Sequence, residues 1–185
     1  MNPVRNNSNK NSGKNFGEVI SYGMKVLFAT DHAGFELKEK LVPFVKSLGY
    51  EVEDLGAFEY DENDDYPDSI SKAASEISQN PATNKGIILG GSGQGEAIVA
   101  NRFPNVRAIV FNGQCEEPAG MKVPNEIVIS REHNDANIIS LGARFLNEES
   151  AKEAVKLWLS TEFSEEERHA RRIAKIAEIT KNIHE

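Results

Sequence analysis

From residue 25 onward, short apolar runs alternate with longer amphipathic stretches. Residues 25–29 (KVLFA) have the unbroken apolar character of a buried strand. Over 35–48, Leu37, Leu41, Phe44, Val45 and Leu48 fall at helical spacing, and Gly49 stops the helix. Residues 51–55 predict a second strand, 59–65 an acidic loop, and 67–78 a helix with proline near its start. A third strand over 86–89 and a helix over 94–101 come next, then a fourth strand over 107–111. A long loop spans 112–124 and a short helix 126–133, ahead of a fifth strand over 138–141. Helices over about 148–160 and 164–183 close the chain.

Repeated strand–helix alternation predicts an α/β fold: a three-layer sandwich around a five-stranded parallel, doubly wound sheet. An order of 2-1-3-4-5 sets the ends of strands 1 and 3 side by side, at the switch point where such sheets bind ligands. Strand 1 ends in Thr30-Asp31-His32, and strand 3 runs into Gly-Gly-Ser-Gly-Gln-Gly-Glu at 90–96. Two polar segments far apart in sequence are therefore expected to converge.

Residues 1–23, rich in Asn, Ser, Gly and Lys, are expected to form a disordered tail before one domain over 24–185, with Met24 a candidate translation start. The chain has 185 residues and a net charge of −8, with no basic block, which makes nucleic acid a poor partner. A phosphate ligand therefore needs a local cationic pocket. The one cysteine, Cys115, excludes an intrachain disulfide and fits a cytoplasmic location. No apolar run is long enough for a membrane, and the amino-terminal residues lack the apolar core of a signal peptide.

Four glycines in the loop at 90–95 let the backbone turn tightly and direct successive N–H groups at one anionic point, with Glu96 placed beside it as a base. A tight strand–helix turn with a solvated glutamate explains the same letters. Asp31 and His32 are candidates for substrate hydroxyls or phosphate; Asp31 can also be a helix cap. His133 and Asn134 lie in a polar run, 131–137, that serves proton transfer or simply ends a helix. Arg168 and Arg172, four apart, share a helix face able to grip a phosphate, or form solvated pairs with glutamates 165–167. Arg144 comes after strand 5, again at a carboxyl edge. Cys115 precedes Glu116 and Glu117, which disfavour a thiolate. Metal-binding spacings, a GxGxxG fingerprint and a P-loop ending are absent from the sequence.

Six motifs in register resemble the ribose-5-phosphate isomerase type B family, which also contains galactose-6-phosphate and allose-6-phosphate isomerases. They are ATDHAGFELKEKL at 29–41, DYPD at 65–68, GGSGQGEAIVANR at 90–102, REHNDAN at 131–137, LGARFL at 141–146 and RHARRI at 168–173. The resemblance implies a cofactor- and metal-free aldose–ketose isomerisation of a sugar phosphate through an enediolate. It casts Glu96 as base, Ser92 and the amides of Gly91, Gly93, Gln94 and Gly95 as oxyanion donors, and His133 as the ring-opening acid. Asn134, Asp31 and His32 would hold the sugar, and Arg144, Arg168 and Arg172 the phosphate. A homodimer or tetramer with sites shared between subunits is implied, and Ile173, Ile176 and Ile179 fit either that interface or intrachain packing. Gly90 stands where many members carry a catalytic Cys, so the chain is similar to the branch with a glutamate base. Residues 112–125, longer than the family's segment starting Asp-Pro-Tyr, leave a five- or six-carbon substrate open. A sugar-phosphate-binding protein without catalysis is the remaining alternative.

Overall fold

The computed structural model describes residues 23–116 and 122–184. The tail expected over residues 1–23 lies, apart from Gly23, outside them, as does the middle of the long loop. Five strands form one parallel sheet: β1 (Lys25–Thr30), β2 (Glu51–Asp54), β3 (Asn84–Gly90), β4 (Ala108–Phe111) and β5 (Ile138–Gly142). The helices are α1 (Phe35–Ser47), α2 (Tyr66–Gln79), α3 (Gln94–Ala100), α4 (Glu126–Glu132), α5 (Glu148–Ser160) and α6 (Glu167–His184).

The sheet order is β2-β1-β3-β5-β4, which corrects the expected 2-1-3-4-5 at its last two strands. Burial explains the exchange. Every residue of β5 is buried, whereas three of the four in β4 are only partly covered, as suits an edge strand. The exchange matters for the site, because it aligns Gly90 of β3 with Gly142 of β5. The turn leaving β5 thereby lies beside the glycine loop.

Side chains alternate across the sheet, as the pleat requires. Val26, Phe28, Ile87, Leu89, Ile139 and Leu141 pack with α1, α4 and α5 around Trp158. Leu27, Ala29, Ile88 and Ile138 pack on the other face with Ile70, Ala73, Ala74 and Ile77 of α2 and Ala100 of α3. This is the expected three-layer arrangement.

Helix α6 departs from it. Among its described side chains His169 alone is buried, while Ile176 is 52% and Ile179 59% exposed. Packing of these isoleucines within the chain, one of the two readings of their spacing, is thus overturned. No helix among the described residues is long and apolar enough to cross a membrane.

Candidate active site

The parallel register sets Thr30 opposite Leu89, so the residues after β1 and β3 emerge together at the carboxyl edge of the sheet. Thr30 Oγ1 donates to the Leu89 carbonyl at 3.1 Å and locks the two ends. Asp31 then caps a single 3₁₀ turn, His32–Gly34, its Oδ1 accepting the Ala33 N–H at 3.0 Å. The cap predicted for Asp31 is therefore real, and it holds a buried carboxylate at the switch point.

The glycine loop turns at Gly93, whose φ of +73° is a left-handed conformation that glycine adopts without strain. Ser140 of β5 donates to the Gly93 carbonyl at 2.7 Å and supports the turn from below. Ser92 Oγ accepts the Gln94 N–H at 3.4 Å. Gly95 lies against the Tyr66 ring.

Glu96, in the first turn of α3, is only 4% exposed. Its side chain folds back over Gly90, where any side chain would collide with the carboxylate. Position 90 is therefore glycine for a steric reason: the Glu96 carboxylate fills the space that a residue there would occupy. Burial raises the Glu96 pKa above the ordinary glutamate value, its own backbone N–H opposes the rise, and the negative charge of Asp31 adds to it.

Asp64 completes this corner. Its Oδ1 accepts the His32 backbone N–H at 3.0 Å and lies 2.6 Å from His32 Nδ1. That hydrogen bond raises the His32 pKa, with burial opposing it. Asp31, His32 and Asp64 present ligand atoms within 4.8 Å of one another. Ligands around one small cation keep about 3 Å between them, so the direct His32–Asp64 bond leaves no gap for an ion. Arg144, carried past β5, donates its backbone N–H to the Gly91 carbonyl at 3.1 Å, and its guanidinium covers Gly91.

The remaining predicted residues form a second group. His133 caps the carboxyl end of α4, in the turn that enters β5, and therefore belongs to the amino edge of the sheet. Its ring stacks on His169 of α6, with centroids 4.2 Å apart and planes 10° from parallel. Burial lowers the His169 pKa, and His133, Arg168 and Arg172 lower it further while the negative charge of Glu166 opposes the shift. Arg168 pairs with Glu166 at 2.8 Å, and the Asn134 carbonyl accepts from Arg107. A five-residue strand spans about 16 Å, and this distance separates the edges that carry Glu96 and His133. Among the described residues no hydrogen bond, ion pair or ring contact joins the two groups.

Asp64, Tyr66, Ser140 and His169 are the contributors that sequence reasoning missed. Asp64 and Tyr66 stand in or beside the acidic loop read only as a loop, although DYPD at 65–68 was a usable signal. His169 stands inside RHARRI, where attention to a cationic face picked out the arginines alone.

Comparison with known proteins identifies the family. A family model described as Ribose/Galactose Isomerase matches residues 26–176. Ribose-5-phosphate isomerase B of Mycobacterium tuberculosis is 38% identical over 157 residues, which are 84% of this chain and 90% of that protein. The Escherichia coli protein of the same name is 36% identical over 155 residues, 84% of this chain and 95% of its own. Among solved structures, ribose-5-phosphate isomerase B from Mycoplasma genitalium with bound ribulose-5-phosphate superposes with a TM-score of 0.77 at 30% identity, covering 85% of this chain and 97% of that one. The Clostridium thermocellum enzyme gives 0.75 at 38% identity, covering 86% and 99%. The chain thus belongs to the ribose/galactose isomerase family.

Proposed function

We propose that this protein interconverts ribose 5-phosphate and ribulose 5-phosphate by moving a proton between C2 and C1 of the open-chain sugar through an enediolate. The observation that carries the proposal is the buried Glu96 carboxylate, seated over Gly90 at the end of an amide-rich loop. A solvated helix-turn glutamate, the competing reading, has no reason to be buried, since burying a carboxylate costs free energy. A raised pKa brings a glutamate closer to neutral and suits it to take a proton from carbon.

In this reading Glu96 takes the C2 proton and returns it to C1. The amides of Gly91–Gly95 and the Ser92 hydroxyl hold the oxygen on which charge develops. Asp31 and His32 orient the sugar. Arg144 covers one side of the phosphate, and Arg168 and Arg172 the other. His133 protonates the ring oxygen to open the furanose, and Asn134 holds a hydroxyl. His169, stacked on His133, keeps that ring in place.

Glu96 and His133 face opposite edges of one sheet, so the complete site takes its halves from two copies of the chain. The exposed Ile176 and Ile179 on α6 support this reading, because an amphipathic helix without an intrachain partner needs cover. We place such an enzyme in the cytoplasm, in keeping with a free Cys115.

A six-carbon sugar phosphate is the second reading. It rests on the length of residues 112–125. The test is turnover of ribose 5-phosphate beside allose 6-phosphate and galactose 6-phosphate by wild-type protein and Glu96→Gln. The proposal expects pentose turnover in the wild type and its collapse in the variant. Preference for a six-carbon substrate transfers the function to the second reading, and activity that survives Glu96→Gln removes the base.

A further inference from the structure

At the amino edge of the sheet lies a pocket of about 180 Å³, lined by Met24 ahead of β1, Asn84 and Lys85 at the start of β3, and Asn137 ahead of β5. Arg131 of α4, Asp135 in the turn before β5 and Glu162, just beyond α5, complete its charged wall. Lys85 is only 7% exposed, and its Nζ has no hydrogen-bond partner. A buried ammonium without a partner is costly, so its presence calls for a counter-charge. Arg131, also buried, stands 5.7 Å from the Trp158 ring centroid, and Lys85 Nζ stands 5.7 Å from the same ring. Two cations therefore converge on one small pocket.

The nearby acids do not neutralise them. Asp135 also lines the pocket, but one of its oxygens accepts from Arg107 at 2.7 Å and the other from Arg131 at 2.8 Å, so both are engaged by guanidinium groups. Glu162 is exposed and makes no hydrogen bond or ion pair with either cation. Arg131 commits Nε to the Thr161 carbonyl and Nη1 to Asp135 and the Ala136 carbonyl, which leaves Nη2 without a protein partner. An ammonium and a guanidinium nitrogen without hydrogen-bond partners are the donor set that a tetrahedral oxyanion accepts from.

We infer that this pocket is a binding site for a small phosphate-type oxyanion, held between Lys85 Nζ and Arg131 Nη2 and separate from the isomerase site. Burial and repulsion from Arg131 lower the Lys85 pKa to about 8, with the negative charges of Glu162 and Asp135 opposing the shift. An anion adds to that opposition, so its binding draws a proton onto Lys85 near and above pH 8.

The test is calorimetric titration of the full chain with inorganic phosphate at pH 8.5, in two buffers of different ionisation enthalpy. A second arm uses glycerol 3-phosphate, to separate free phosphate from an organic phosphate end. All titrations are run in wild type and in Arg172→Ala, which weakens the other phosphate site. The inference expects a proton-linked binding event that survives Arg172→Ala and weakens about tenfold or more in Lys85→Met. It further expects the surface variant Glu162→Gln to tighten that event about two- to fivefold by removing a competing carboxylate. Phosphate binding that disappears in Arg172→Ala, or that neither Lys85→Met nor Glu162→Gln changes, overturns it. Should Lys85→Met fail to fold, the Glu162→Gln arm decides alone.

Discussion

At the scale of single residues, the candidate site depends on one exchange of space. Glu96 reaches back over a position that must be glycine for the carboxylate to fit. Gly90→Ala therefore pushes the Glu96 carboxylate off its seat, and turnover falls about 10²-fold or more while the fold, measured by circular dichroism, persists. Glu96→Gln removes general-base catalysis, with a loss of about 10²–10⁴ in kcat. The same variant should be no less stable than wild type at neutral pH. A glutamate whose pKa rises on folding costs stability above its unfolded value, and glutamine removes that cost.

His32 has the same sign of linkage, since its pKa too is raised on folding. Its bond to Asp64 raises its pKa, so the stability it contributes is full below the unfolded histidine pKa and is lost as pH climbs through the folded one. Asp64→Asn lowers the His32 titration midpoint, which NMR of the imidazole C–H resonances reads directly. Lys85, depressed to about 8, makes the fold more stable as pH rises from there toward the unfolded value of 10.5. Lys85→Met thus stabilises the phosphate-free protein at pH 7, by an increment that shrinks above pH 8 in denaturant unfolding.

Among the elements, those legible in the sequence were the ones with strong local pattern. The predicted bounds of α5, 148–160, agree with the structure, and those of α1 agree to within a residue, because both carry an uninterrupted apolar stripe. The sheet order of β4 and β5 was not legible. Both are short apolar runs, and which one sits inside depends on what covers it. The exchange has a consequence for the site, since Ser140 reaches Gly93 only from a central β5. Ser140→Ala removes that support and leaves the Gly93 turn looser, with an expected fall in kcat of about tenfold at nearly unchanged stability. Helix α6 was predicted as a helix, but its lack of intrachain cover emerged only with the fold. Ile176→Glu with Ile179→Glu places charges on that face, and sedimentation should then show a smaller species than wild type.

For the molecule as a whole, the sequence motifs named the parts without saying which stand together. Asp31, His32, the glycine loop, Glu96 and Arg144 share one corner, as the switch-point argument anticipates for the first four. His133 and Asn134 stand elsewhere, because a residue that precedes a parallel strand cannot sit at the edge where the chain leaves the neighbouring strand, and Arg168 and Arg172 share α6 with His169, which stacks on His133. No sequence spacing encodes that separation; it comes from the direction of the strands. On the proposed reading one chain carries two half-sites facing apart, and assembly joins the proton-transfer half to the ring-opening half. The most direct test of this account is complementation between Glu96→Gln and His133→Ala chains, co-expressed with different tags and purified through both. Each variant alone should turn over ribose 5-phosphate poorly, while a mixed dimer holds one wholly native site of its two and regains about half the wild-type rate. Mixed dimers no more active than the parent variants contradict the account.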